Sequence, residues 1–109
     1  MKQTLSAQAQ DALDLFAAII RAARIRRGMT AEELSRRVGV SRGAIQRLEA
    51  AAPGTAMGTA FEAAAVLGVP LFDVPVEQLG GLLQHRREVN ALLPRRAFQA
   101  KHADPDNDF

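Results

Sequence analysis

Cysteine, tryptophan and tyrosine are all missing from these 109 residues. Without cysteine there is no disulfide, no thiol nucleophile and no thiolate to hold a metal. With phenylalanine as the sole aromatic, the apolar residues are mostly Ala, Leu, Val and Ile, a composition suited to a small helical core. Long apolar runs are missing too. Ala17-Ala18-Ile19-Ile20 stops at Arg21, far short of the roughly 18 residues that a membrane span needs. Lys2 is followed by polar residues rather than by the apolar stretch of a signal peptide. A soluble, cytoplasmic protein with no membrane partner is expected. Histidine is scarce: His85 and His102 have no set of carboxylates spaced to complete a metal site, and His85 beside Glu88 reads as an ordinary helix pair. Gly80-Gly81 lacks the Lys-Ser/Thr that follows in a phosphate-binding loop. Ser6, Ser35 and Ser41 have no histidine placed by sequence to activate them. No catalytic residue, metal or cofactor is expected, unless an enzyme site is assembled between subunits.

What is present is one concentrated motif. The net charge of +2 hides a block over residues 21–47 with eight arginines against Glu32 and Glu33, inside a chain that is otherwise net acidic. Charge gathered in this way steers polyanions to one surface. Within the block, residues 28–49 read as two short helices joined by a tight turn at Gly39. Thr30 caps the first, with Glu33 three residues on to return the bond as a capping box. Leu34 and Val38 share that helix's inner face. Val40 follows the turn, Ser41 is a natural N-cap, and Ile45 and Leu48 face inward. Arg36, Arg37, Arg42, Gln46 and Arg47 point outward as long polar donors. The plain alternative is an amphipathic helix pair that merely packs. Two caps, a glycine turn and a basic outer face together favour DNA binding. Arg42, Gln46 and Ala44 are then expected at base edges, and Thr30, Arg37, Ser41 and Arg47 at phosphates. Ser35 is the small residue where the helices cross, and Glu49 ties its helix to a neighbour.

The rest of the chain builds around this pair. Residues 1–10 are expected as a flexible arm or the first turns of a helix, and residues 11–73 as the DNA-binding domain. From Asp11 the positions Leu13, Phe16, Ala17, Ile20 and Ala23 or Arg24 recur at helical steps until Gly28 stops the helix. Arg24, Arg26 and Arg27 in its last turn are either solvated or within reach of a phosphate, and Met29 plugs the space to the next helix. After the Pro53-Gly54 loop, a fourth and poorly capped helix is expected over residues 57–67, with Met57, Ala60, Phe61, Ala64 and Leu67 inward. Leu71 and Phe72 fold back over its edge. Residues 74–94 form a further helical segment, about 76–93, which Gly80-Gly81 can kink or split. Its Leu79, Leu82, Leu83, Val89 and Leu92 either finish the core or make a dimer surface. Residues 95–109 are expected as a disordered tail, where Asp106, Asp108 and Phe109 are candidates for docking to a partner.

These residues resemble the XRE (Cro/C1-type) family of bacterial and phage repressors, over residues 13–72. The likeness rests on Arg27-Gly28-Met29-Thr30 leading into Glu33-Leu34, then Val38-Gly39-Val40-Ser41, and Ile45-Gln46-Arg47-Leu48-Glu49. It implies an all-α, five-helix lambda-repressor-like bundle that contains the helix-turn-helix and binds double-stranded operator DNA as a homodimer. Two positions depart from the family pattern. Ala31 stands where a phosphate-binding Gln is common, and Ala51 where a Gly usually follows the Glu. Pro53-Gly54, Leu67-Gly68-Val69-Pro70-Leu71-Phe72-Asp73, Leu93-Pro94-Arg95-Arg96 and the Asp-rich end resemble the HipB-type antitoxins. That second likeness implies an autoregulating repressor that also restrains a HipA-like kinase toxin. A stand-alone phage-type or housekeeping repressor is the alternative within the fold, and a helical interaction module without DNA the alternative outside it.

Overall fold

In the computed structural model, which describes residues 4–96, Ser6 sets the start of the first helix. Its Oγ accepts from the Ala9 N–H at 3.1 Å, and α1 runs Ala7–Arg26. Of the two readings of residues 1–10, a flexible arm or the first turns of a helix, the second holds for residues 7–10. The Gln10 amide donates to Asp14 Oδ1 at 3.0 Å and to the Ala51 carbonyl at 3.2 Å, tying this first turn to a distant loop. Polar turns of this kind carry no apolar period, so only the cap residue could have announced the earlier start.

α2 (Ala31–Val38) and α3 (Arg42–Glu49) form where the caps and turn demand. Thr30 Oγ1 accepts from Glu33 N at 3.0 Å and Ser41 Oγ from Ala44 N at 3.1 Å. Gly39 has φ +86° between them, a left-handed conformation that a side chain resists. Only half of the expected capping box forms: the Glu33 carboxylate turns forward to Arg37 Nη2 at 3.1 Å. α4 spans Met57–Leu67, without a side-chain cap, and ends at Gly68.

α1 and α2 each pack on both α3 and α4, and the shared core is small and aliphatic. Ile20, Leu34, Ile45, Leu48 and Leu67 are fully buried, with Ala23, Met29, Ala63, Ala64 and Val69 around them. Burying one such Leu or Ile is worth about 1.5–3 kcal/mol, so these few side chains dominate the apolar stabilisation. Ser35 is buried at the helix crossing, its hydroxyl donating to the Glu32 carbonyl at 2.6 Å. The expected inner face of α4 needs correction. Met57 is 70 % exposed and Phe61 partly so, while Ala63 takes the buried position. Alanines at 60, 63 and 64 let α4 approach closely, and Met57 at its first turn stays exposed.

Phe61 instead meets Phe72 edge-on, with centroids 6.3 Å apart. Phe72 sits in a tight turn closed by Val74 N–H donating to the Leu71 carbonyl at 3.2 Å. Phe72 and Asp73 both have positive φ, +56° and +60°, the pattern of a primed hairpin turn that usually carries Asn or Gly. The aromatic contact and half-buried Leu71 hold this turn against its backbone strain.

Contacts divide the chain into two units between Glu77 and Gln78. A 3-10 turn, Val76–Gln78, precedes α5, Leu79–Asn90. The helix expected over 76–93 is thus shorter at both ends, and Gly80-Gly81 occupy its first turn rather than a central kink. Leu82, Leu83, Val89, Leu92 and Leu93 are all exposed, and no residue of α5 is buried. Among the described residues, no helix is long and apolar enough to cross a membrane.

Candidate nucleic-acid interface

Folding sorts the eight arginines of residues 21–47 into different jobs. Arg24 is withdrawn from solvent: Nε and Nη2 grip the two carboxylate oxygens of Glu49 at 2.6 and 2.8 Å, and Nη1 donates to the Met29 carbonyl at 2.8 Å. Both side chains are nearly buried. The hydrogen bond to Glu49 raises the Arg24 pKa above its ordinary value, against the opposite pull of burial. Arg24 is therefore a structural cation, neither solvated nor within reach of a phosphate as the two readings of it had it, and Glu49 ties α3 to α1 as its place in the sequence suggested. Arg27 also folds back, donating to the Ala23 carbonyl at 3.3 Å. Arg36 and Arg37 make exposed pairs with Glu32 and Glu33 one turn earlier. Such pairs are worth well under 1 kcal/mol and open easily for a better anion. Arg21, Arg26, Arg42 and Arg47 make no ion pair among the described residues.

Arg42 and Gln46 are exposed and one helical turn apart, so they stand on one face at the start of α3. Ala44 is half-buried beside them. Arg47 lies back along the helix, its Nη1 only 3.4 Å from where a Cβ on Gly43 would stand. Its charge is thus carried toward the capped N-terminus of α3. Thr30 and Ser41 are exposed at their helix starts, each hydroxyl oxygen accepting a cap bond. Their O–H hydrogens remain free to donate. Ala31 is half-buried against the core. The seven residues expected at DNA therefore lie on α3, on α2 or at the caps of the two helices, and the Arg42 and Gln46 side chains make no hydrogen bond or ion pair among the described residues.

One feature near Arg47 escaped the sequence. A cleft of about 220 Å³ is lined by Ala44, Arg47, Gly54, Thr55, Ala56 and Thr59. It lies beside the start of α4, whose leading N–H groups no side chain caps, and such groups receive anions well. The weak cap after Pro53-Gly54 was legible, but its closeness to Arg47 was not.

Two caps, a left-handed glycine turn and an exposed polar face on the second helix define a helix-turn-helix DNA-binding domain. The family profile described as helix-turn-helix matches residues 20–74, about half of the chain, and the chain belongs to this family, in its XRE type. Comparison with curated proteins and with solved structures gave no match.

Proposed function

We propose that the protein is a sequence-specific transcriptional repressor that acts in the cytoplasm as a homodimer. It serves as the antitoxin of a HipA-like kinase toxin and represses the operon that encodes both. The observation that carries the DNA reading is the exposed Arg42 and Gln46 face at the capped start of α3. In a major groove, arginine pairs bidentately with guanine and glutamine with adenine, each worth about 1–3 kcal/mol of discrimination. The Ala44 methyl suits a thymine methyl. Thr30, Ser41, Arg37 and Arg47 supply phosphate contacts that set the register. A dimer presents two α3 helices to successive grooves, roughly 34 Å apart. Leu79, Leu82, Leu83 and Val89 offer its surface, because they are spaced along one face of α5 and all but the half-buried Leu79 are exposed. Leu92 follows beyond the helix end.

The toxin partnership rests on the likeness to HipB-type antitoxins. Asp106, Asp108 and Phe109, the expected docking residues, lie outside the described residues. The first experiment is light scattering on the protein alone and mixed with a duplex of its own upstream region. A dimer that shifts onto that duplex and ignores a scrambled one at physiological salt supports the repressor. Salt-erased binding to both duplexes would reduce the arginines to non-specific attraction. A HipA-like kinase encoded beside the gene is then mixed with the full chain and with a chain ending at residue 94. Capture by the full chain alone supports the docking tail. Operator binding with no capture leaves a stand-alone repressor.

A further inference from the structure

α1 has a second apolar strip, on the side away from Ala17, Ile20 and Ala23. Leu15, Ile19 and Ile25 are 63 %, 43 % and 50 % exposed, and exposed Ala18 and half-buried Ala22 complete the strip. A shallow groove of about 410 Å³ lies along its second half, lined by Ala18, Arg21, Ala22, Ile25 and Arg26. Charge along this face is divided by position. Asp11 and Asp14 are exposed in the first half, and Arg21 and Arg26 are exposed in the second. Neither arginine makes an ion pair among the described residues, and Asp14 receives only the Gln10 amide.

We propose that this face binds the same face of a second copy, with the two α1 helices antiparallel about a two-fold axis near Ala18. A two-fold contact must be self-complementary, and this one is. Reversing the helix lays the acidic half of each copy on the basic half of the other, whereas a parallel pairing would set like charges together. With the axis near Ala18, Asp14 falls level with Arg21 of the second copy on the same flank, and Asp11 level with Arg26. Leu15 of each copy then seats between the small Ala18 and Ala22 of the other, as a knob enters a hole.

The strip from Asp11 to Arg26 is about 22 Å long and roughly 10 Å wide, from the rise and diameter of a helix. That is well below the ~800 Å² each partner contributes to a standard interface. Pairing is accordingly weak between free copies and takes effect where copies are held close together, as on neighbouring sites of one duplex. Resting on the α5 dimer proposed above, a contact on this separate element joins one operator-bound dimer to the next.

The test is sedimentation velocity on the full chain over a wide concentration series. The wild-type average mass should rise with concentration at loadings where the α5 dimer is already complete, and Ala18→Glu should abolish that rise. Asp14→Arg and Arg21→Asp should each lose it, while the double variant D14R/R21D should regain it, because reversing both charges restores complementarity. All these positions are exposed, and an unchanged far-UV circular dichroism spectrum checks the fold. Leu82→Glu on α5 should keep the rise. The proposal is overturned by a wild type with no rise, by Ala18→Glu retaining it, by a double variant no better than the singles, or by Leu82→Glu losing it altogether.

Discussion

At the scale of single residues, Arg24 and Glu49 hold α1, α3 and the Met29 turn in one bidentate, nearly buried pair. Removing one partner of such a pair strands the other charge, which costs far more than the net worth of the pair. Glu49→Ala should therefore destabilise the protein by about 3 kcal/mol, a fall of roughly 12 °C or more in Tm by calorimetry. The raised Arg24 pKa carries a sign: its stabilisation is complete below the ordinary arginine range and declines only as pH climbs through the raised value. No working pH reaches that point, so alkaline buffers should leave the pair intact. Arg42 and Gln46 stand in contrast, since no fold contact depends on them. Replacing either with Ala should leave Tm unchanged and cut the preference for operator over a single-base mismatch by about 5- to 150-fold at the position it reads. Competition binding with a mismatch series measures this.

At the scale of elements, α4 is the least well founded. Its N-cap position is Ala56, which offers no side-chain cap, and Gly58 lies in its first turn. Ala56 already has the extended backbone of an N-cap, φ −66° and ψ 131°, so Ala56→Ser should stabilise by about 1 kcal/mol and raise Tm by roughly 4–8 °C. A second local strain sits at the end of α3. Ala51 has φ +58°, a left-handed conformation that favours the glycine expected there from the family resemblance. The buried Ala51 methyl offsets part of that strain. Ala51→Gly is thus expected to shift Tm by only a few degrees, much less than its backbone alone would suggest.

At the scale of the whole molecule, binding depends on how many phosphates are neutralised and how many copies act together. Arg37→Ala should weaken operator and scrambled duplex alike and lower the slope of log affinity against log salt by about one. A loss confined to the operator would place Arg37 at a base instead. Leu82→Glu should yield a monomer by light scattering at low concentration, where the weak α1 contact is dissociated, and reduce operator affinity by about 10²- to 10⁴-fold, the benefit that linking two half-sites provides.

Much of this protein was determined by sequence alone. Thr30, Gly39, Ser41, Leu34, Ile45 and Leu48 carry their roles in local rules of capping, turn geometry and periodicity, and each is found in that role. The family profile over residues 20–74 reads the same positions. Tertiary structure decided what local rules cannot express. Arg24 and Arg42 are the same residue type in one basic block, yet one is buried against Glu49 and the other is exposed. That division depends on a carboxylate 25 residues away in the chain. Met57 and Ala63 exchanged places because the close approach of α4 is set by its neighbours rather than by its own period. Charge and hydrophobicity belong to the residue, whereas burial and pairing belong to whatever the fold brings alongside it.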